Sequence, residues 1–151
     1  MKQPLIILTG PTSVGKTELS VRLAKQVNGA VISADSMQVY KYMDIGSAKI
    51  SKEQMQGVRH YLIDEFLPDE EFNVVRFQQY AKKYMQEIYK NGQIPILVGG
   101  TGFYIQAVLY DIDFSKQDTD AAYRLELEHL LKERGVEYLH DMLVQVDPVS
   151  A

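Results

Sequence analysis

The sequence contains no cysteine, which excludes a disulfide framework and a thiolate metal site and suits a reducing compartment. Its three histidines, His60, His129 and His140, are scattered without ligand spacing, so no transition-metal site is expected. Long hydrophobic runs are also missing. The opening apolar run, Leu5 to Leu8, is too short for a signal-peptide core or a membrane span and leads directly into a glycine loop. A cytoplasmic protein with no membrane partner is expected. Nor is there an excess of positive charge: 16 Lys and Arg against 20 Asp and Glu give a formal charge of -4. Global electrostatics therefore offer no argument for nucleic acid or an anionic membrane, and any such partner has to be gripped locally or by polypeptide not shown. What is present is 151 residues, 46% hydrophobic and 24% charged, the composition of one ordinary soluble domain.

Apolar runs of strand length recur at Leu5 to Thr9, Ala30 to Ala34, Tyr61 to Ile63 and Ile94 to Val98, and helical segments separate most of them. That alternation predicts a parallel sheet covered by helices on both faces, an α/β class. One helix is predicted over Lys16 to Val27, burying Leu19, Leu23 and Val27, before Asn28-Gly29 breaks it. Another follows Asn73 as N-cap. Its stripe of Phe77, Ala81, Tyr84, Met85 and Ile88 has helical spacing, and Gly92 supplies a stop. The Lys82-Lys83 pair on the opposite side reads as a solvated face.

After Tyr110 an acidic, turn-prone stretch, Asp111 to Asp120, precedes two helical patterns with no strand between them. The first carries Leu127, Leu130 and Leu131 and stops at Gly135; the second carries Leu139, Met142, Leu143 and Val146 and stops at Asp147-Pro148. We therefore expect an α/β core over residues 1–112 and the beginning of a helical insertion lobe over 113–151, in a chain that is a fragment.

The most specific local motif is GPTSVGKT, Gly10 to Thr17, a full match to G-x-x-x-x-G-K-[ST] between a predicted strand and a predicted helix. Gly10 and Gly15 permit close backbone approach. The N–H groups of Gly10, Pro11's successors Thr12, Ser13 and Val14, and Gly15 can then converge on phosphate oxygens at the positive end of the helix. Lys16 adds a mobile charge, and the Thr17 hydroxyl can ligate Mg²⁺. The loop specifies a diphosphate or triphosphate with a metal, not a base. A Walker-B strand is missing: Ile94 to Val98 runs into Gly99-Gly100-Thr101 instead of an acid, and Asp64 reads as a strand-end or turn residue. Nucleotide hydrolysis as the main task is disfavoured.

Ligands of an open parallel sheet sit beyond the carboxyl ends of its strands. Three strand ends are therefore of interest: the phosphate loop, Asp35-Ser36-Met37-Gln38, and Gly99-Gly100-Thr101-Gly102. Asp35 could accept a proton from an incoming nucleophile or cap the following turn. Thr101 could offer a hydroxyl and nearby N–H groups to an anion, or be a structural turn residue.

Taken in order and spacing, GPTSVGKT, ADSMQVYKYMDIGSAK, HYLID, LVGGTGFYIQAVL and the terminal DPVSA resemble the tRNA dimethylallyltransferases, also called tRNA isopentenyltransferases, from about Leu5 through Ala151. Ser47 stands where the family usually has Thr, Tyr42 where Gly is common and Phe103 where Leu is common. The family is considerably longer, with a C-terminal portion that supplies further arginines and much of the tRNA grip. The resemblance implies a P-loop NTPase-like, nucleotide-kinase-like sheet; a monomer is expected. The resemblance also implies transfer of a dimethylallyl group from dimethylallyl diphosphate to the exocyclic amine of the adenosine beside the tRNA anticodon. On that reading Lys16, Thr17 with Mg²⁺ and Thr101 offset charge on the leaving diphosphate, and Asp35 orients the amine and takes its proton. Ser36, Met37 and Gln38 contact the flipped base or its neighbours, while Arg124 meets the RNA backbone. Arg124 is also consistent with a solvated helix face. The rival readings are an adenylate isopentenyltransferase, a small-molecule kinase using ATP and a nucleotide-binding module without catalysis.

Overall fold

A computed structural model describes residues 3–114 and 121–151. The elements in chain order are β1 (Ile6–Thr9), α1 (Lys16–Val27), β2 (Gly29–Ala34), α2 (Lys52–Met55), β3 (His60–Tyr61), α3 (Val74–Lys90), β4 (Ile94–Gly99), α4 (Gly102–Leu109), α5 (Ala121–Arg134) and α6 (Val136–Val146). They form two compact units, Met1–Ile112 and Asp113–Ala151. Of the acidic stretch Asp111 to Asp120, residues 115–120 lie outside the described residues.

In the first unit the four strands are all parallel, in the order β1-β4-β2-β3. Long crossovers carrying helices permit this arrangement, because the chain must return to the same end of the sheet before the next strand can pair in parallel. α1 packs on one face, where Ala24 meets Val31 and Ile96. α3 and α4 cover the other, where Phe77, Ala81, Ile88, Tyr104 and Ile105 close over Ile32 and Leu97. The rings of Phe77 and Tyr104 stack at 4.4 Å and 17°. Buried Gln78 joins the two helices by donating to the Ala107 and Ile112 carbonyls at 2.7 and 2.9 Å, so its burial leaves no orphaned amide N–H group of the kind that costs stability.

α3 begins as expected, with the Asn73 side chain accepting from the Arg76 N–H at 3.0 Å. α1 has the expected bounds, but its buried face is rotated from the expected one. Ser20, Val21 and Ala24 are buried, Leu23 and Val27 are half-buried and Leu19 is exposed. Small residues set this contact line, letting the helix sit close to the sheet, and the Ser20 hydroxyl is satisfied by the Thr17 carbonyl at 2.7 Å. The third strand is also shorter than expected. Leu62, fully buried, turns into the left-handed region at φ 60° and ends the ladder after Tyr61, with its N–H donating to Glu65 Oε1 at 2.7 Å. Lys82 is not merely solvated: its ammonium pairs with Asp111.

In the second unit α5 and α6 pack on each other. Leu127, Leu130, Leu139 and Met142 are half-buried, whereas Leu131, Leu143 and Val146, expected in the same stripes, are exposed. A pair of helices has only one contact line, too narrow to cover both full stripes.

Candidate active site

Strand register decides which loops meet. Thr9 and Ala34, the last residues of β1 and β2, both pair with Gly99, the last residue of β4. Three strands therefore end level, and the loops 10–15, 35–38 and 100–101 leave the sheet side by side. Level ends need close approach. A Cβ on Gly99 would lie 2.1 Å from the Ala34 carbonyl oxygen, so only glycine fits there. The Thr101 N–H then donates to the same Ala34 oxygen at 3.3 Å.

The phosphate loop has the expected strand-loop-helix setting. Its turn uses positive φ at Gly10 (153°), Ser13 (65°) and Gly15 (89°). Gly15 is the N-cap of α1, and a Cβ there would meet nothing within 4 Å, so its glycine serves the backbone angle and not space. Lys16 Nζ folds back over the loop, donating to the carbonyls of Gly10 at 2.8 Å and of Pro11. Thr17, in the first turn of α1, is exposed.

Beside the loop lies a cleft of about 190 Å³. Thr12, Ser13, Gly15, Lys16 and Thr17 of the loop line it, with Asp35, Gln38, Gly99 and Gly100 at the strand ends; Val31, Ile50, Ile63 and Val98 add apolar lining, and His60 a ring. Asp35 thus shares a cleft with the phosphate loop. It also caps the turn, as one of its two expected readings has it: Oδ1 accepts from the N–H groups of Met37 at 2.8 Å and Gln38 at 3.2 Å. Those bonds use one carboxylate oxygen, and Oδ2 is the atom left for a proton. Burial, Tyr40 and Asp35 together push the Tyr104 phenol above its ordinary pKa. Burial likewise holds His60 below its usual value, offset in part by the Val58 carbonyl at 2.9 Å from Nδ1.

The remaining expected residues divide. Ser36 and Met37 are exposed on the turn after β2. Gln38 is committed internally: its Oε1 accepts from the Ser33 hydroxyl at 3.0 Å, and its Nε2 donates to the carbonyls of Ser47 and Ala48 at 3.2 and 3.3 Å. Thr101 is the N-cap of α4 without a side-chain cap bond, next to the cleft residue Gly100. Pro11 and Val14 are exposed in the loop. Arg124, on α5 of the second unit, is exposed and 3.7 Å from Glu128 one turn on. Asp64 sits in a turn at φ 55°.

One residue outside the expected set is prominent. Lys49, its side chain only 6% exposed, donates to the Tyr40 carbonyl at 2.8 Å, to Asp44 Oδ1 at 2.8 Å and to Asp64 Oδ1 at 2.6 Å. Burial alone would depress its pKa, but the two carboxylates reverse that and raise it, keeping the ammonium charged. A lysine followed by Ile50 carries no periodic signal, and its partners lie 5 to 15 residues away.

The model of the family described as "IPP transferase" matches residues 38–151. The tRNA dimethylallyltransferase of Lachnoclostridium phytofermentans is 65% identical over 149 residues, covering 99% of this chain and 48% of that protein. That of Clostridioides difficile is 54% identical over 150 residues, covering 99% and 48%. Among solved structures, the full-length tRNA isopentenylpyrophosphate transferase of Bacillus halodurans aligns with a TM-score of 0.75 at 50% identity, over 99% of this chain and 49% of that one. A eukaryotic dimethylallyltransferase acting on tRNA aligns at 0.82 and 33%, over 97% and 36%. The chain spans about half the length of the curated relatives it matches. Its sheet is the P-loop NTPase-like sheet of those neighbours, and the chain belongs to the IPP transferase family, in which its relatives carry the name tRNA dimethylallyltransferase.

Proposed function

We propose that the protein transfers a dimethylallyl group from dimethylallyl diphosphate to the exocyclic amine of the adenosine adjacent to the anticodon of tRNA, as a cytoplasmic monomer. The observation that carries this reading is the level ending of β1, β2 and β4, which gives the phosphate loop and the Asp35 carboxylate one cleft.

The donor's diphosphate would lie at the loop, against its N–H groups and the positive end of α1. Lys16 would leave the Gly10 and Pro11 carbonyls for the anion. The amine nitrogen forms a bond to the allylic carbon as the bond from that carbon to the diphosphate oxygen breaks. The electron pair departs with the diphosphate, and the amine proton passes to Asp35. Because an adenine amine is a weak nucleophile, alignment contributes as much as basicity. The Asp35 bonds to Met37 and Gln38 fix the carboxylate for that purpose. Thr101, one residue beyond Gly100, is placed to offer its hydroxyl to the leaving group.

The donor set also fits Mg²⁺. Among the described residues no cluster of three acidic or histidine side chains could hold a metal by itself. That suits an ion taken mostly by diphosphate oxygens and water, with the Thr17 hydroxyl as the protein ligand. When bound, the ion would neutralise charge on the diphosphate. Ser36 and Met37, exposed on the turn after β2, and Arg124 would meet the RNA. No helix among the described residues is long and apolar enough to cross a membrane.

The test is incubation of a chain of the relatives' full length with labelled dimethylallyl diphosphate and unmodified tRNA, followed by nucleoside mass analysis. Label on one adenosine beside the anticodon is expected. Label on free AMP in place of tRNA, or phosphate transfer from ATP to a small acceptor, would replace this reading with an adenylate isopentenyltransferase or a kinase.

A further inference from the structure

The buried ammonium of Lys49 has no part in the chemistry just described. It does not line that cleft, and its three N–H donors are all taken: by Tyr40 and Asp44 in its own loop between β2 and α2, and by Asp64 after β3. An ammonium so neutralised has no donor left for a diphosphate. Its effect is mechanical. The segment it closes, residues 43–50, supplies Ser47, Ala48 and Ile50 to the cleft. That segment does not hold its shape by regular pairing: Ala48, and Tyr42 just before the segment, have φ of 48° and 66°, and such backbone in a non-glycine residue persists only where surrounding bonds over-determine it. Those bonds come from two sides. Gln38 grips the Ser47 and Ala48 carbonyls from the turn that carries Asp35, and Lys49 ties the loop to Asp64 across β3. The Ser47 hydroxyl closes the loop internally on Met43 O at 2.6 Å.

We propose that Lys49 is a positioning residue that holds the 43–50 wall of the cleft to which the phosphate loop also contributes, and so sets the site for the acceptor and not for the donor. The inference about the acceptor rests on the transferase reading; the inference about the wall does not. The phosphate loop is built on β1 and α1, and none of the Lys49 bonds reaches it. Loss of Lys49 should therefore loosen one side of the cleft alone.

The experiment compares wild type with Lys49→Met in a chain of the relatives' full length, by hydrogen exchange, pyrophosphate affinity and steady-state transfer to tRNA. Lys49→Met should speed amide exchange within residues 41–50 and leave the pyrophosphate Kd within about twofold of wild type. The KM for tRNA should rise, or kcat fall, by roughly 10- to 100-fold, as for a misplacement of about an ångström, with the donor KM unchanged. Asp64→Asn, which keeps an acceptor but removes its charge, should give the same pattern at smaller amplitude. Unaltered exchange in residues 41–50 overturns the proposal. So does faster exchange throughout the sheet with loss of pyrophosphate binding, which would make Lys49 a general folding element. Should wild type itself transfer nothing, the transferase reading fails, while exchange and pyrophosphate affinity still decide whether Lys49 holds the wall. If Lys49→Met does not fold, Asp64→Asn provides the same comparison.

Discussion

Gly99→Ala tests whether the level strand ends hold the cleft together. The new Cβ would lie 2.1 Å from the Ala34 oxygen, 2.5 Å from its carbonyl carbon and 2.9 Å from its Cα. Ordinary contact is farther by about an ångström, and the obstacle is backbone of β2, not a side chain that could rotate away. Overpacking of a rigid site costs about 1–3 kcal/mol, and backbone against backbone belongs at the upper end. Reduced freedom of the unfolded chain returns about 0.4–1 kcal/mol, as for any glycine-to-alanine change. A net loss of about 2 kcal/mol remains, which for a domain of this size lowers Tm by roughly 4–8 °C. Thermal unfolding followed by circular dichroism reads this directly. Gly100→Ala is the internal control, since its Cβ would meet only the Gly10 oxygen at 3.6 Å, an ordinary contact. The separation of β2 from β4 should also weaken the Thr101 N–H bond to Ala34 and reduce stabilisation by pyrophosphate. A Gly99→Ala protein melting within a degree of the Gly100→Ala protein would refute the close-approach argument.

Asp35→Asn keeps an oxygen to accept from Met37 and Gln38, so donor affinity should persist while single-turnover transfer falls by ~10²- to 10⁴-fold; a wild-type rate would assign proton removal to another group. Lys16→Gln preserves a donor toward the Gly10 carbonyl but loses the charge, and pyrophosphate should bind roughly 10- to 100-fold more weakly by calorimetry; unchanged affinity would leave the anion to the backbone alone. Tyr42→Gly should be neutral or stabilising by up to about 1 kcal/mol in urea unfolding, because left-handed backbone costs tyrosine about 1–2 kcal/mol and glycine nothing; a clear loss of stability would show that the exposed ring contributes. Burial lowers the folded-state pKa of His60, so the unfolded chain takes up the proton first and stability should decline as pH falls from 6.5 toward the folded-state value. His60→Gln should flatten that decline in urea midpoints, and an unchanged slope would place its origin elsewhere.

The fold was legible where one residue type settles one local conformation. Asn73 caps α3, Gly15 takes the left-handed angle before α1, and Asn28 the same after it. The short α2 was legible too, though it was not expected: Ser51 and Gln54 form a capping box, with Ser51 accepting at 3.3 Å and Gln54 at 2.9 Å. The buried face of α1 was less accessible to pattern reading, because it is lined by Ser20 and Ala24, small residues that a count of large apolar positions overlooks. The early end of β3 is similar. A buried leucine at φ 60° is set by the bonds around it, and nothing in the string HYLID announces it.

The site shows the same division between local and distant causes. The phosphate loop is contiguous, and its chemistry follows from eight residues in order. Asp35 could be located because a parallel sheet presents its strand ends together, and of its two readings the structure shows the turn cap, made through Oδ1 alone. Gln38 shows what spacing leaves out. From sequence it stood beside Asp35 as a group to read a base, whereas its three side-chain hydrogen bonds hold Ser33, Ser47 and Ala48. Its Nε2 would have to surrender the bonds to Ser47 and Ala48 to donate to a ligand, at a cost of about 1–3 kcal/mol for each polar group left unmet, whereas Oε1 keeps a second lone pair. On the proposal that Lys49 and Gln38 together hold the 43–50 wall, Gln38→Ala should mimic Lys49→Met in hydrogen exchange across residues 43–50. If exchange there stays at the wild-type rate while recognition of the acceptor is lost, Gln38 reads the ligand directly and its internal bonds are ones it gives up on binding.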